Sequence, residues 1–242
     1  MKRLGVIGGL GPMATVYFLQ LVTAMSDVKT DQEHIPIRMQ SIPDTPDRTA
    51  YILDHSKANP LPTLLQAGQR LKEQGAEYIA IPCVTAHYFQ ETLCREIGLP
   101  VIDLLSETVR EFQRQQVRKV GILATSGTIT SRILQNALEK EGIAVCVPGR
   151  VQQQQVMEII YDQIKAGKPA DVERFLEIGC QLKAQGAEKL LLGCTELSLL
   201  KRDFGPRLTK DYVDVLEILA QAVIAYNDIP VRGETEGEKH AE

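Results

Sequence analysis

Five cysteines stand in this chain, and two of them, Cys83 and Cys194, share a setting that the others lack. Each follows a short apolar run: Tyr78-Ile79-Ala80-Ile81 leads into Pro82-Cys83, and Lys189-Leu190-Leu191-Leu192 leads into Gly193-Cys194. A threonine follows closely in both cases, Thr85 and Thr195, and helix-compatible residues come next. A cysteine at a helix N-terminus meets oriented N–H groups and the positive end of the helix dipole, which lowers its pKa from about 8.5 and favours thiolate. A single cysteine is more often a small buried hydrophobe, and Cys94, Cys146 and Cys180 take that reading. Two cysteines in matched settings argue for paired chemistry. One thiolate removes a Cα proton from one face of a substrate, and the opposed thiol returns one from the other face. Each sulfur must then lie ~3–3.5 Å from the reacting carbon, so the pair would be roughly 6–7 Å apart, too far for a disulfide. Exchanging which sulfur is ionised runs the reaction backward, as racemisation requires.

The elements that place these cysteines come from a repeat. Leu71-Lys72-Glu73-Gln74-Gly75-Ala76-Glu77 matches Leu182-Lys183-Ala184-Gln185-Gly186-Ala187-Glu188 at six of seven positions, at an offset of 111 residues that carries Cys83 onto Cys194. Leu4-Gly5-Val6-Ile7, followed by a glycine-rich turn, matches Val120-Gly121-Ile122-Leu123 at an offset of 116. Two matches at nearly one offset indicate duplication of a small α/β unit. The apolar runs read as buried parallel strands. The amphipathic stretches 61–74 and 172–185 read as helices stopped by Gly75 and Gly186. The expected fold is α/β, with two similar doubly wound parallel-sheet domains and the site in the cleft between them. Ligands in such folds bind beyond the carboxyl ends of the strands, where both cysteines stand.

Composition excludes several functions. The 242-residue chain is 44% hydrophobic and 24% charged, ordinary for a globular protein, with a net charge of −4. No basic stripe suited to nucleic acid is present, and no run reaches the ~18 apolar residues of a membrane span. The four histidines are far apart, and neither Cys-x-x-Cys nor His-x-x-x-His occurs, so no metal site is expected. Lys2 and Arg3 before an apolar stretch imitate a signal peptide. Gly8, Gly9, Gly11 and Pro12 interrupt that stretch, however, and its pattern recurs mid-chain, so the expected location is cytoplasmic. Gly9-Leu10-Gly11-Pro12-Met13-Ala14 fits the dinucleotide fingerprint. Against that reading, Pro12 removes an N–H from the turn and no acidic residue ends the expected second strand.

Several segments together closely resemble the aspartate/glutamate racemase family, and its aspartate racemase branch in particular. They are Ile7-Gly8-Gly9-Leu10-Gly11-Pro12, Asp31-Gln32-Glu33-His34, Pro46-Asp47-Arg48-Thr49-Ala50-Tyr51-Ile52, Pro82-Cys83 with Thr85-Ala86-His87, and Gly193-Cys194-Thr195-Glu196. The resemblance runs from Met1 to about Pro230. It implies a racemase that needs no pyridoxal phosphate, flavin or metal, with Cys83 and Cys194 as acid and base, a small dicarboxylic amino acid as substrate, and a homodimer. It also implies a C-terminal helix near 214–225 that returns to the first domain. The domains are expected at 1–105 plus 212–230 and at 106–211, followed by an acidic tail, 231–242, with a net charge of −2. Carboxylate-binding roles fall to Arg48, to Lys165 and to Ser126, Gly127 and Thr128, with Leu10, Val84, Thr85, Thr195 and Glu196 completing the substrate site. An arginine fork suits one carboxylate and backbone N–H groups near Gly127 suit the other.

Val84 departs from the family pattern, which has Asn there. Losing a donor to a charged group costs roughly 1.5–3 kcal/mol. This departure keeps three alternatives open: other two-cysteine reactions (maleate isomerisation, hydantoin racemisation, arylmalonate decarboxylation), weak activity, and a non-catalytic binder of small acids. Glu196 either orients a substrate ammonium or caps a helix. His87 either tunes the Cys83 thiolate or is a satisfied structural histidine.

Overall fold

The computed structural model describes residues 1–208 and 210–233. Among these residues seven strands form two sheets: β1 (Leu4–Gly8), β2 (Ile37–Ser41) and β3 (Tyr78–Ala80) in one, and β4 (Lys119–Leu123), β5 (Ala144–Cys146), β6 (Lys189–Leu192) and β7 (Tyr212–Asp214) in the other. The orders are β2-β1-β3 and β5-β4-β6-β7, and every pairing is parallel. Ile79 also makes a parallel bridge to Val101, at the place that β7 takes in the second sheet. The expected two-domain α/β fold is therefore present, with the same strand order in both halves.

The first half carries helices α1 (Pro12–Met25), α2 (Arg48–Leu53), α3 (Leu61–Glu73), α4 (Gln90–Ile97) and α5 (Leu104–Arg114). The second carries α6 (Ser126–Ser131), α7 (Ile133–Lys140), α8 (Arg150–Glu158), α9 (Val172–Ala184), α10 (Thr195–Phe204) and α11 (Val215–Ala225). Gly75 and Gly186, just past α3 and α9, have φ of +83° and +92°, the left-handed turn that ends a helix with little cost only at glycine.

Side chains alternate along the strands, so each sheet is covered on both faces. Ile7, Ile79 and Ile81 pack with Leu64, Leu71 and Leu93 of α3 and α4. Leu190 and Leu192 pack with Phe175, Ile178 and Leu182 of α9. The opposite faces, Leu4, Val6 and Tyr78 of one sheet and Val120, Ile122 and Leu191 of the other, share one core. Phe18 of α1, Phe112 of α5 and Leu219 of α11 join that core. Burying each such side chain contributes about 1.5–3 kcal/mol, and the shared core holds the two halves in one geometry.

The chain crosses back at its end. β7 pairs with β6, whereas α11, which begins at the next residue, lies against α1 and α5. The division expected between 211 and 212 thus stands at the start of β7, which pairs with the second sheet, and α11 follows that strand directly. The expected tail is also tied down at its start: Val231 bridges Ser26, and Arg232 donates its N–H to the Met25 carbonyl at 2.7 Å. The acidic remainder from 234 onward lies outside the described residues. No helix among the described residues is long and apolar enough to cross a membrane.

Candidate active site

The two cysteines stand at equivalent strand ends, Cys83 three residues beyond β3 and Cys194 two beyond β6. Cys194 is the N-cap of α10. Cys83 caps a 3₁₀ turn, Val84–Phe89, and α4 begins only at Gln90, so the helix expected directly after Cys83 is delayed. Both cysteines are buried and line one cavity between the domains. Leu10, Arg48, Val84, Thr85, Thr128, Lys165, Thr195 and Glu196 line it with them.

The surroundings of the two sulfurs differ. Cys83 Sγ lies 3.3 Å from Thr85 Oγ1 and faces the Arg48 guanidinium. Cys194 Sγ donates to Glu196 Oε2 at 3.0 Å. Burial, then the Glu196 charge, push the Cys194 thiol well above its ordinary value, although Lys165 and the Glu196 backbone N–H act in the opposite direction. The helix N-terminus does offer its donor to this sulfur, but desolvation and a neighbouring carboxylate outweigh it. The lowered pKa expected for Cys194 is thus reversed.

Arg48 is buried, and burial alone would lower its pKa. The facing groups Cys83 and Asp47 hold it up. Its terminal nitrogens donate to the carbonyls of Leu10, Pro46 and Thr45. Its Nε is buried with no hydrogen-bond partner among the described residues, a donor that an anionic ligand would satisfy. The fork expected to grip a carboxylate bidentately is therefore mostly occupied by backbone. Lys165 Nζ sits 3.0 Å from Glu196 Oε1 and 5.1 Å from the Tyr161 ring centroid. Burial lowers the Lys165 pKa, but Glu196, then Cys194 and Cys83, raise it overall. Lys165 thus feels both sulfurs. Glu196 Oε2 thus holds the Cys194 thiol, whereas Oε1 is paired with Lys165 by charge and has no hydrogen-bond partner among the described residues.

Thr128 reaches the cavity, but Ser126 and Gly127 do not line it. Gly127 is pressed against α2, where an added Cβ would lie 2.8 Å from Thr49 Cα. The Ser126 N–H faces Met157 Sδ at 3.1 Å, and the Thr128 N–H goes to Thr125 Oγ1. Gly127 thus serves the contact between domains, and the N–H groups of Ser126 and Thr128 are already engaged. His87 is buried away from the cavity between the Ile81 carbonyl and Gln90 Oε1, and burial lowers its pKa, so the structural reading holds.

Asp47, Thr49, Thr125, Tyr161 and Gly193 also line the cavity without having been expected there. Tyr161 donates to Asp47 Oδ2 at 3.0 Å across the cleft. It lies in a π-helical turn, Ile159–Ile164, that continues α8, a distortion common at functional sites. Its spacing of four from Lys165 was the available signal. A second, wider opening adjoins the cavity and shares Leu10, Asp47, Arg48, Lys165 and Glu196 with it. Pro12, Met13, Pro43, Ile164 and Leu199 give this vestibule an apolar rim.

Residues 7–223 match the family model described as Asp/Glu/Hydantoin racemase. The chain is 28% identical over 147 residues to a broad specificity amino-acid racemase of Bacillus subtilis, covering 57% of this chain and 61% of that protein. It is 30% identical over 136 residues to a glutamate racemase of Aquifex aeolicus, covering 55% of this chain and 51% of that one. The match thus spans under two thirds of either relative's length. Among solved structures, the aspartate racemase of Picrophilus torridus aligns with a TM-score of 0.79 and 25% identity, covering 96% of each chain. A putative Asp/Glu racemase from Yersinia pestis aligns with the same TM-score and identity over 93% of this chain and 99% of its own. A model match over most of the length, on a fold with paired strand-end cysteines, shows that this chain belongs to the Asp/Glu/hydantoin racemase family.

Proposed function

We propose that this protein is an amino-acid racemase that works without a cofactor, with Cys83 and Cys194 as the base and acid at Cα and an acidic amino acid as substrate. The observation that carries the reading is the meeting of the two strand-end cysteines, one from each domain, in a single cavity with the buried Arg48 and the partly exposed Lys165. In one direction Cys83 takes the Cα proton, the electron pair remains on the substrate beside Arg48 and Lys165, and the Cys194 thiol protonates the opposite face. The reverse direction exchanges these roles. The two domains hold both sulfurs in place before substrate arrives, which is where positioning lowers the barrier.

The test is loss of the Cα proton signal in deuterium oxide for a panel of L- and D-amino acids, with aspartate and glutamate first. Cys83→Ala and Cys194→Ala should each abolish racemisation while leaving the melting profile close to that of the parent. Full activity in either variant would refute the two-thiol mechanism. A second reading, a wider amino-acid specificity, is favoured by Val84, which presents hydrocarbon to the cavity. The same panel decides it: fastest exchange on uncharged amino acids selects this reading over the acidic one.

A further inference from the structure

A two-thiol racemase leaves each turnover with its protons exchanged. The sulfur that was thiolate is now thiol, and the other is thiolate. Before the same enantiomer can react again, a proton must leave one sulfur and one must reach the other. Cys194 is only 6% exposed, so its proton needs a carrier. On the two-thiol reading above, we propose that Glu196 is that carrier, taking the proton from Cys194 and returning it through the vestibule.

The geometry has three parts. Glu196 Oε2 accepts from Cys194 Sγ at 3.0 Å, so transfer needs no rearrangement. Oε1 of the same carboxylate faces the other way, 3.0 Å from Lys165 Nζ. The residue lines both the inner cavity and the vestibule, and so stands in the wall between them. The first domain shapes this place: a Cβ on Gly11, the N-cap of α1, would lie 2.3 Å from Oε1. The turn before α1 therefore leaves room for the carboxylate of α10. The charged and titratable groups around it are Cys194 on its own element, Tyr161 on the π-helical turn and Lys165 just after it, Arg48 and Asp47 on the α2 segment, and Cys83.

In the step, the Cys194 S–H bond breaks, an O–H bond forms at Oε2, and the electron pair stays on sulfur. Lys165 keeps its proton and compensates whichever of the two groups is anionic. Release of the proton from Glu196 to vestibule water restores the carboxylate, and the reverse path reloads the thiol. Glu196 thus touches a reacting atom without touching Cα.

The test pairs two measurements on Glu196→Gln, which keeps shape and an acceptor oxygen but cannot carry this proton. The pH midpoint for iodoacetamide alkylation of Cys194, followed by peptide mass spectrometry, should move to lower pH because a neighbouring negative charge is gone. Racemase turnover should nevertheless fall about tenfold or more, with the larger loss in kcat and the smaller in kcat/KM, since the recycling of free enzyme is what slows. If Glu196 acted only through its charge, easier thiolate formation would leave turnover unchanged or raise it, and that result overturns the proposal. An unmoved alkylation midpoint also overturns it. Should Glu196→Gln not fold, Gly11→Ala displaces the same carboxylate from outside and is read by the same two measurements. Failure of the racemase reading itself looks different: the parent enzyme then exchanges no Cα proton on any amino acid of the panel.

Discussion

At the scale of single residues the site is asymmetric although the fold is duplicated. The Arg48 cation faces Cys83, whereas the Glu196 anion faces Cys194. The matched positions after the two cysteines explain the difference. Thr85 and Glu196 each stand two residues beyond their cysteine, and one offers a hydroxyl where the other offers a carboxylate. Val84 lies between Cys83 and Thr85, buried and on the cavity wall. Thr85 is already turned toward sulfur, so it does not replace the amide that Val84 lacks. Val84→Asn is expected to raise kcat/KM for aspartate about tenfold, the equivalent of one charge-assisted hydrogen bond of ~1.5 kcal/mol. Unchanged or lower aspartate turnover, with a native melting profile, would show that position 84 makes no carboxylate contact.

At the scale of elements, the ends of α10 and α11 matter most. Asp214 caps α11 by accepting the Leu216 N–H at 2.8 Å, and Ser198 of α10 donates to the same oxygen. The other oxygen, Oδ2, is buried without a hydrogen-bond partner among the described residues. Burial, reinforced by Glu217, raises the Asp214 carboxyl to about 6. The folded protein therefore holds this proton more tightly than the unfolded chain, in which Asp titrates near ~3.9. The resulting stabilisation is complete below about pH 4 and is lost as pH rises through about 6. Asp214→Asn keeps the cap and removes the titration. Urea midpoints of the parent, compared with those of the variant, should fall between pH 4 and 7 by the equivalent of about 2–3 kcal/mol. Parallel profiles for the two proteins would show that Asp214 ionises as it does in the unfolded chain.

At the scale of the whole molecule, the cleft is held from both sides. The shared core beneath it sets the distance between sheets, and above it Tyr161 reaches Asp47 from the other domain. That bond joins the helical turn carrying Lys165 to the segment carrying Arg48, so it sets the spacing of the two cations. Tyr161→Phe should lower unfolding stability by about 1 kcal/mol, the usual net worth of one hydrogen bond. It should also raise KM, because Arg48 and Lys165 are no longer tied together. A variant with unchanged KM would show that the shared core alone fixes the cleft.

What the sequence determined by itself is the part written in local pattern. Strand runs, helix stops at Gly75 and Gly186, the repeat, and a pair of cysteines at strand ends all follow from residues near one another in the chain. Short-range geometry dictates each of them, and parallel strands need crossover helices whatever the details. Tertiary structure decided the electrostatics. The sign of the Cys194 shift depends on burial and on where the Glu196 and Lys165 side chains meet, and no helix-end argument contains those terms. It also decided which neighbours of a motif face inward. Thr125 lines the cavity while Ser126 turns to α8 and Gly127 to α2, and Tyr161 enters through a π-helical turn that ordinary helical periodicity does not describe. Residues 47, 83, 125, 161 and 194 become neighbours only because two parallel sheets point the ends of their central strands into one cleft.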